Sequence, residues 1–170
     1  MAASNDMDRD SQPRERSTER KGAPAKTVIV IGIDGSETSW DAFWWACGEA
    51  GRTSGRAIAV FVSPIGGTGA AAAAARYPVS IDVRAFDEVA IAQAEQLRNE
   101  AQLYAADRGV DLSFVHVRGG TAKELLRVAE SDHADLIVVG RSAKACHHLA
   151  GSLGRRLIRR RRAPIVVVVP

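Results

Sequence analysis

The sequence predicts an α/β fold: a parallel sheet of five strands with helices on both faces. Three observations carry this. Short runs of apolar, β-branched residues recur along the chain, as in TVIVIGID (27–34) and IVVVV (165–169). The first is a run of apolar, β-branched residues rather than an alternating one, as expected of a strand buried on both faces. Stretches of helical periodicity separate them, and strands alternating with helices imply parallel pairing through right-handed crossovers.

The first strand, 27–34, ends at Asp34-Gly35-Ser36. Ser36 can cap a helix whose first turn carries Glu37. Trp40, Phe43, Trp44 and Cys47 then recur at i, i+3, i+4 and i+7, which predicts one apolar face with Trp40 and Trp44 in the core and Trp45 off the stripe. Gly51 and Gly55 bracket the break before a second strand, RAIAVFVSP (56–64). The glycines and alanines of 65–81 read as a long loop. Phe86, Ala90, Ala94, Leu97, Ala101 and Tyr104 mark a helix over 81–107, ended by Gly109. LSFVHV (112–117) is a third strand. Thr121 and Glu124 have capping-box spacing, placing a helix over 121–131. DLIVVG (135–140) is a fourth strand, 152–161 a last helix closed by Pro164, and 165–169 a fifth strand.

At 170 residues a single domain is expected. Residues 1–26 carry 11 charges of mixed sign and almost nothing to bury, and read as a disordered tail preceding a domain over 27–170. No apolar run approaches the ~20 residues of a membrane span, and the N-terminus has no apolar core of a secretory signal. Two cysteines, Cys47 and Cys146, suggest no disulfide framework and fit a cytoplasmic location. Six arginines crowd into RRLIRRRR (155–162); the rest of the domain has 11 basic and 15 acidic groups, a net −4. The positive charge is therefore one local cluster.

Ligands of open parallel sheets bind beyond the carboxyl ends of the strands, where strand order reverses. Two loops at such ends combine glycine with a hydroxyl: 34–36 and 140–152. Gly140 and Gly151 let backbone approach a ligand. Ser152 adds a hydroxyl at a helix N-terminus, where free N–H groups and the dipole favour anions. Asp34 can accept hydrogen bonds from a ribose or base. An ordinary strand-to-helix turn has the same composition, so the residues alone leave both readings open. Neither GxxxxGK[ST] nor GxGxxG occurs, which excludes two major phosphate-binding designs.

VIVIGIDGSETS, the strand ending in VVG, the Gly151-Ser152 pair and the final API-VVVV strand together resemble the universal stress protein (UspA-like) family over roughly 27–170. The resemblance implies an adenine nucleotide alpha hydrolase-like, Rossmann-like fold with strand order 3-2-1-4-5. It implies ATP binding, with Mg²⁺, by a homodimer joined through strand 165–169. In ATP-binding members the loop after the fourth strand resembles G-x2-G-x9-G-[ST]. Matching positions here are Gly140, Gly151 and Ser152 at the phosphates, with Arg141 and Leu153 beside them; Ile33, Asp34 and Gly35 after the first strand; and Val62 at the adenine. Ala143 stands in place of the second glycine, and seven residues rather than nine separate it from Gly151. Arg141 and Lys144 can supply compensating charge. The alternative reading is a protein-interaction module in which this shortened loop closes the pocket.

The remaining conspicuous residues read more plainly. The arginine cluster is expected to be a solvated helix face, and the absence of interleaved aromatics argues against a nucleic-acid partner. Cys146-His147-His148 offers too few convergent ligands for a metal centre. No nucleophile–base pair stands out, so no enzyme is expected beyond slow hydrolysis of bound ATP.

Overall fold

The computed structural model describes residues 26–65, 83–141, 152–159 and 164–170. Five parallel strands form one sheet: β1 (Val28–Gly32), β2 (Arg56–Ser63), β3 (Asp111–Arg118), β4 (Leu136–Gly140) and β5 (Ile165–Val169). Their order is β3-β2-β1-β4-β5, as the resemblance implied. Ile31 of β1 lies opposite Ala59 of β2 and Val138 of β4. The helices are α1 (Glu37–Thr53), α2 (Val83–Asp107), α3 (Thr121–Ser131) and α4 (Ser152–Ile158).

Alternate residues of each central strand feed two separate cores, as the strand's two-residue period requires. On one face Ile29, Ile31, Ala57, Ala59, Phe61 and Val138 pack under α1 and α2. On the other, Val30, Ile58, Val60, Ile137 and Val139 pack under α3 and α4, with Leu125 and Leu157 fully buried. The helices after β1 and β2 thus cover one face, and those after β3 and β4 the other.

Several local expectations are corrected. α1 runs through Gly51; it ends at Ser54, which adopts the left-handed conformation (φ 51°) and donates its N–H back to Ala50 and Gly51. Gly55 is required for packing, because a Cβ there would lie 2.3 Å from the Thr27 carbonyl oxygen. The buried stripe of α1 is Ser39, Ala42, Phe43, Ala46, Cys47 and Ala50. Trp40 is only partly buried and Trp44 is 45% exposed. Trp44 sits at the rim of the stripe, stacked on Trp40 (6.5 Å) and tilted against Tyr104 of α2 (6.3 Å). Small residues at the stripe's centre let α1 lie close to the sheet, which pushes the largest side chains to its edge.

α2 ends as expected: Gly109 takes φ +63° and the Val110 N–H returns to the Ala105 carbonyl. α3 has the predicted bounds without the predicted cap. Gly120 is its N-cap and no side chain bonds there. Glu124 instead accepts from Arg127 Nε at 2.7 Å. In the last segment helix is observed over 152–158. All but the last residue of the expected tail (1–25), most of the glycine- and alanine-rich loop (66–82), 142–151 with Ala143, Lys144, Cys146, His147, His148 and Gly151, and 160–163 with Arg160, Arg161 and Arg162 lie outside the described residues.

Candidate functional site

The strand order reverses between β1 and β4. The chain leaves β1 toward the α1 face and leaves β4 toward the α4 face, so the two exits diverge and a hollow of about 370 Å³ opens between them. Its floor is the carboxyl end of the sheet, with Val60, Val62, Val139, Gly140 and Val168. One wall is the exit of β1 and the first turn of α1: Ile33, Asp34, Ser36, Thr38 and Ser39. The opposite wall is the start of α3 (Thr121, Ala122) and α4 (Leu153, Gly154, Arg156).

The Asp34 wall is held by a dense local network. Asp34 Oδ1 accepts from the Ser36 N–H at 3.0 Å and from Ser36 Oγ at 2.6 Å. Ser36 Oγ in turn accepts from the Ser39 N–H (3.3 Å), so the predicted N-cap of α1 is formed. Ser39 Oγ donates to the Ser36 carbonyl (2.8 Å) and accepts from the Asp34 N–H (3.3 Å). Gln93 of α2 donates to the Asp34 carbonyl oxygen (3.2 Å), tying the turn down from behind. Burial alone would raise the Asp34 pKa. The bonds from the Ser36 hydroxyl and amide, with Ser39 and its own amide, outweigh burial and hold the carboxyl below its ordinary value. This wall is therefore an anion at neutral pH.

The opposite wall is different in kind. Thr121 is the first residue of α3 rather than its cap, so its hydroxyl is not spent on capping, and the N-terminus of α3 has no side-chain cap. Helix α4 is anchored by Leu157, fully buried, and by Leu153, packed against the same core. That anchoring turns Leu153, Gly154 and Arg156 toward the hollow; Arg155, Arg156 and Arg159 are all exposed, and of the three Arg156 is the one on the lining.

Of the residues singled out from sequence, Ile33, Asp34, Val62, Gly140 and Leu153 line the hollow. Gly35 does not. It takes φ +86° and its α-carbon faces α2, where a Cβ would meet Leu97 and Gln93; its part is to make the turn. Arg141 does not line it either: it continues the strand, its N–H donating to the Val169 carbonyl at 2.8 Å. Ser152 opens α4. Gly151 lies outside the described residues. The sequence reading missed Thr38, Ser39, Thr121, Gly154 and Arg156. The hydroxyls follow the turns already identified, but Arg156 was legible only as one arginine among six.

The comparisons with known proteins agree with this architecture. The model of the universal stress protein family matches residues 26–169. A universal stress protein of Methanocaldococcus jannaschii is 27% identical over 154 residues, 88% of this chain and 85% of that protein. Among solved structures, a universal stress protein family member from Burkholderia pseudomallei superposes with a TM-score of 0.68 at 23% identity, covering 87% of this chain and 98% of that one. A universal stress protein in complex with cAMP superposes at 0.61, with 23% identity and coverage of 86% and 98%. The parallel sheet, its strand order, the hollow at its reversal and a family match over nearly the whole domain lead to one conclusion: the chain belongs to the universal stress protein family.

Proposed function

We propose that the hollow binds an adenine nucleotide, ATP among the candidates, and that the chain works as a homodimeric binding module in stress response rather than as an efficient enzyme. The observation that carries this is the hollow itself. An ionised carboxylate and several hydroxyls stand on one wall, an uncapped helix start and a guanidinium on the other, and an apolar floor lies between. Asp34, whose Oδ1 is engaged by Ser36, keeps Oδ2 to accept a ribose hydroxyl. Val60 and Val62 offer an apolar surface for a base. The starts of α3 and α4 face the position left for phosphates. A solved structure of similar fold holds cAMP, which supports the same class of ligand here. Asp34 is the one carboxylate among the described lining residues. A Mg²⁺ ion would therefore arrive on the phosphates of ATP rather than on a set of protein carboxylates.

Dimerisation is proposed through β5. It is an edge strand, paired on one side only with β4, and Ile165 is 69% exposed. An uncovered apolar edge invites pairing, and a two-fold contact with the same strand of a second copy would cover it.

Mass spectrometry of the gently denatured purified protein tests the nucleotide reading directly, since a co-purified nucleotide would identify itself. Titration completes the test. A ligand at ten times its dissociation constant adds ~1.4 kcal/mol of stability, a clear rise in melting temperature. A melt unmoved by millimolar ATP, AMP and cAMP, with and without Mg²⁺, would replace this reading with a protein-interaction module.

A further inference from the structure

We infer that Arg156 is the residue that makes the hollow select phosphorylated ligands, discriminating nucleotides from nucleosides; this rests on the nucleotide reading above and names the group that reads the phosphate. Four observations lead there. All three described arginines of α4, Arg155, Arg156 and Arg159, are exposed, but only Arg156 of the three lines the hollow. The rotation of α4 is fixed by Leu153 and Leu157, so this placement follows from packing and not from a freely turning surface helix. Among the described residues no carboxylate pairs with Arg156, although Arg52, Arg56, Arg98, Arg108, Arg118 and Arg127 each have an acidic partner. The other charged side chain on the lining, Asp34, is on the opposite wall and occupied by Ser36.

A guanidinium on the lining of the hollow, with no carboxylate paired to it among the described residues, is suited to an anion brought in from outside. Its planar donors match two oxygens of a phosphate at once. The opposite wall repels the same group, because the Asp34 carboxylate is held ionised. The two walls therefore orient a ligand that has hydroxyl donors at one end and negative charge at the other. A nucleoside satisfies only the Asp34 wall. A nucleotide satisfies both, and a single phosphate is enough.

The test measures dissociation constants of adenosine, AMP and ATP by calorimetry for the full chain and for Arg156→Gln, Arg156→Lys and Arg155→Gln. Loss of one charge-assisted contact should weaken AMP and ATP about 10- to 100-fold in Arg156→Gln, with adenosine unchanged. Arg156→Lys should recover part of the loss, and Arg155→Gln should bind like the parent. Inorganic pyrophosphate, which has no base or sugar, should raise the melting temperature of the parent chain and not that of Arg156→Gln. Undiminished AMP and ATP binding by Arg156→Gln would overturn the inference and leave the nucleotide reading standing. An equal loss in Arg155→Gln would also overturn it, in favour of diffuse charge. A parent chain that binds neither nucleotide overturns both.

Discussion

Gly140 and Thr38 meet backbone to backbone: a Cβ on Gly140 would lie 2.1 Å from the Thr38 carbonyl oxygen and 2.8 Å from the Ser39 amide nitrogen. The end of β4 and the first turn of α1 thus touch along the edge of the hollow. Gly140→Ala cannot be absorbed by a side-chain rotation, because every clashing atom is backbone. Overpacking of this kind costs about 1–3 kcal/mol or more. We expect a clear drop in melting temperature, and loss of nucleotide affinity as α1 is pushed away from the Asp34 wall. An unchanged melt would mean that α1 can shift without cost.

Ser36→Ala removes two things at once. It deletes the side-chain cap of α1, worth about 1 kcal/mol, and the hydroxyl bond to Asp34 Oδ1. The Asp34 pKa, held low in the folded chain, should rise toward 3.8. A depressed folded pKa adds stability that is present above the unfolded value and is lost as pH falls through the folded one. The parent should therefore lose stability faster than Ser36→Ala below about pH 4. Carboxyl-carbon NMR titration of Asp34 together with acid melts would check both parts.

His116 gives a second, separate pH dependence. Its Nε2 is 2.9 Å from the buried Ser63 hydroxyl, and its ring lies against Phe61 (5.2 Å). Burial, then the charges of Arg118 and Arg98, lower its pKa, with Glu95 opposing. The neutral form is favoured in the folded state, so this contribution is intact above pH 6.5 and fades below it. Thermal melts should show stability falling between pH 7 and 5, and His116→Gln, which keeps a polar partner for Ser63, should flatten that fall. Parallel profiles for the two proteins would show that His116 does not contribute.

The β5 edge can be tested without touching the hollow. Ile165 is exposed in the single chain, while Val167 packs against the core beneath α1. Ile165→Lys should convert a dimer to a monomer by light scattering at micromolar concentration, with the chain still folded by circular dichroism. A parent protein with the mass of one chain would dispose of the proposed pairing.

The centre of the sheet was readable from sequence because β1, β2 and β4 are buried along most of their length and so carry a nearly continuous apolar signal, while the edge strands β3 and β5 are only partly buried. All five strands appear where those runs lie, within a residue or two. Helix faces were harder. The periodicity around Trp40, Phe43, Trp44 and Cys47 is real, but the face of α1 that meets the sheet is set by how closely the helix can approach, and small residues won that place from Trp44. Gly51 looked like a stop, yet the chain had a left-handed residue available three positions later at Ser54. At the site, Asp34 and Gly140 could be located because a strand end is visible in sequence, whereas Ile33, Val62 and Leu153 came from the family resemblance. Arg156 could not, since separating it from Arg155 requires knowing which way two leucines turn α4. Gly140 lies on the hollow as expected, and its bare α-carbon has a second neighbour the sequence did not reveal, Thr38.

The central position of β1 has a consequence for how this chain reaches its native state. β1 joins β2 across one short helical excursion, but its other side waits for β4, and the bond from the Val28 amide to Asp135 spans 107 residues. A chain in which only β1, β2 and β3 had paired would leave β1 as an open, strongly apolar edge. Such non-local closure is slow, and an open edge of this kind is where misassembly begins. β4, β5 and α4 all contribute to the hollow, so a molecule able to bridge Asp34 and Arg156 would recognise only chains in which these elements have docked.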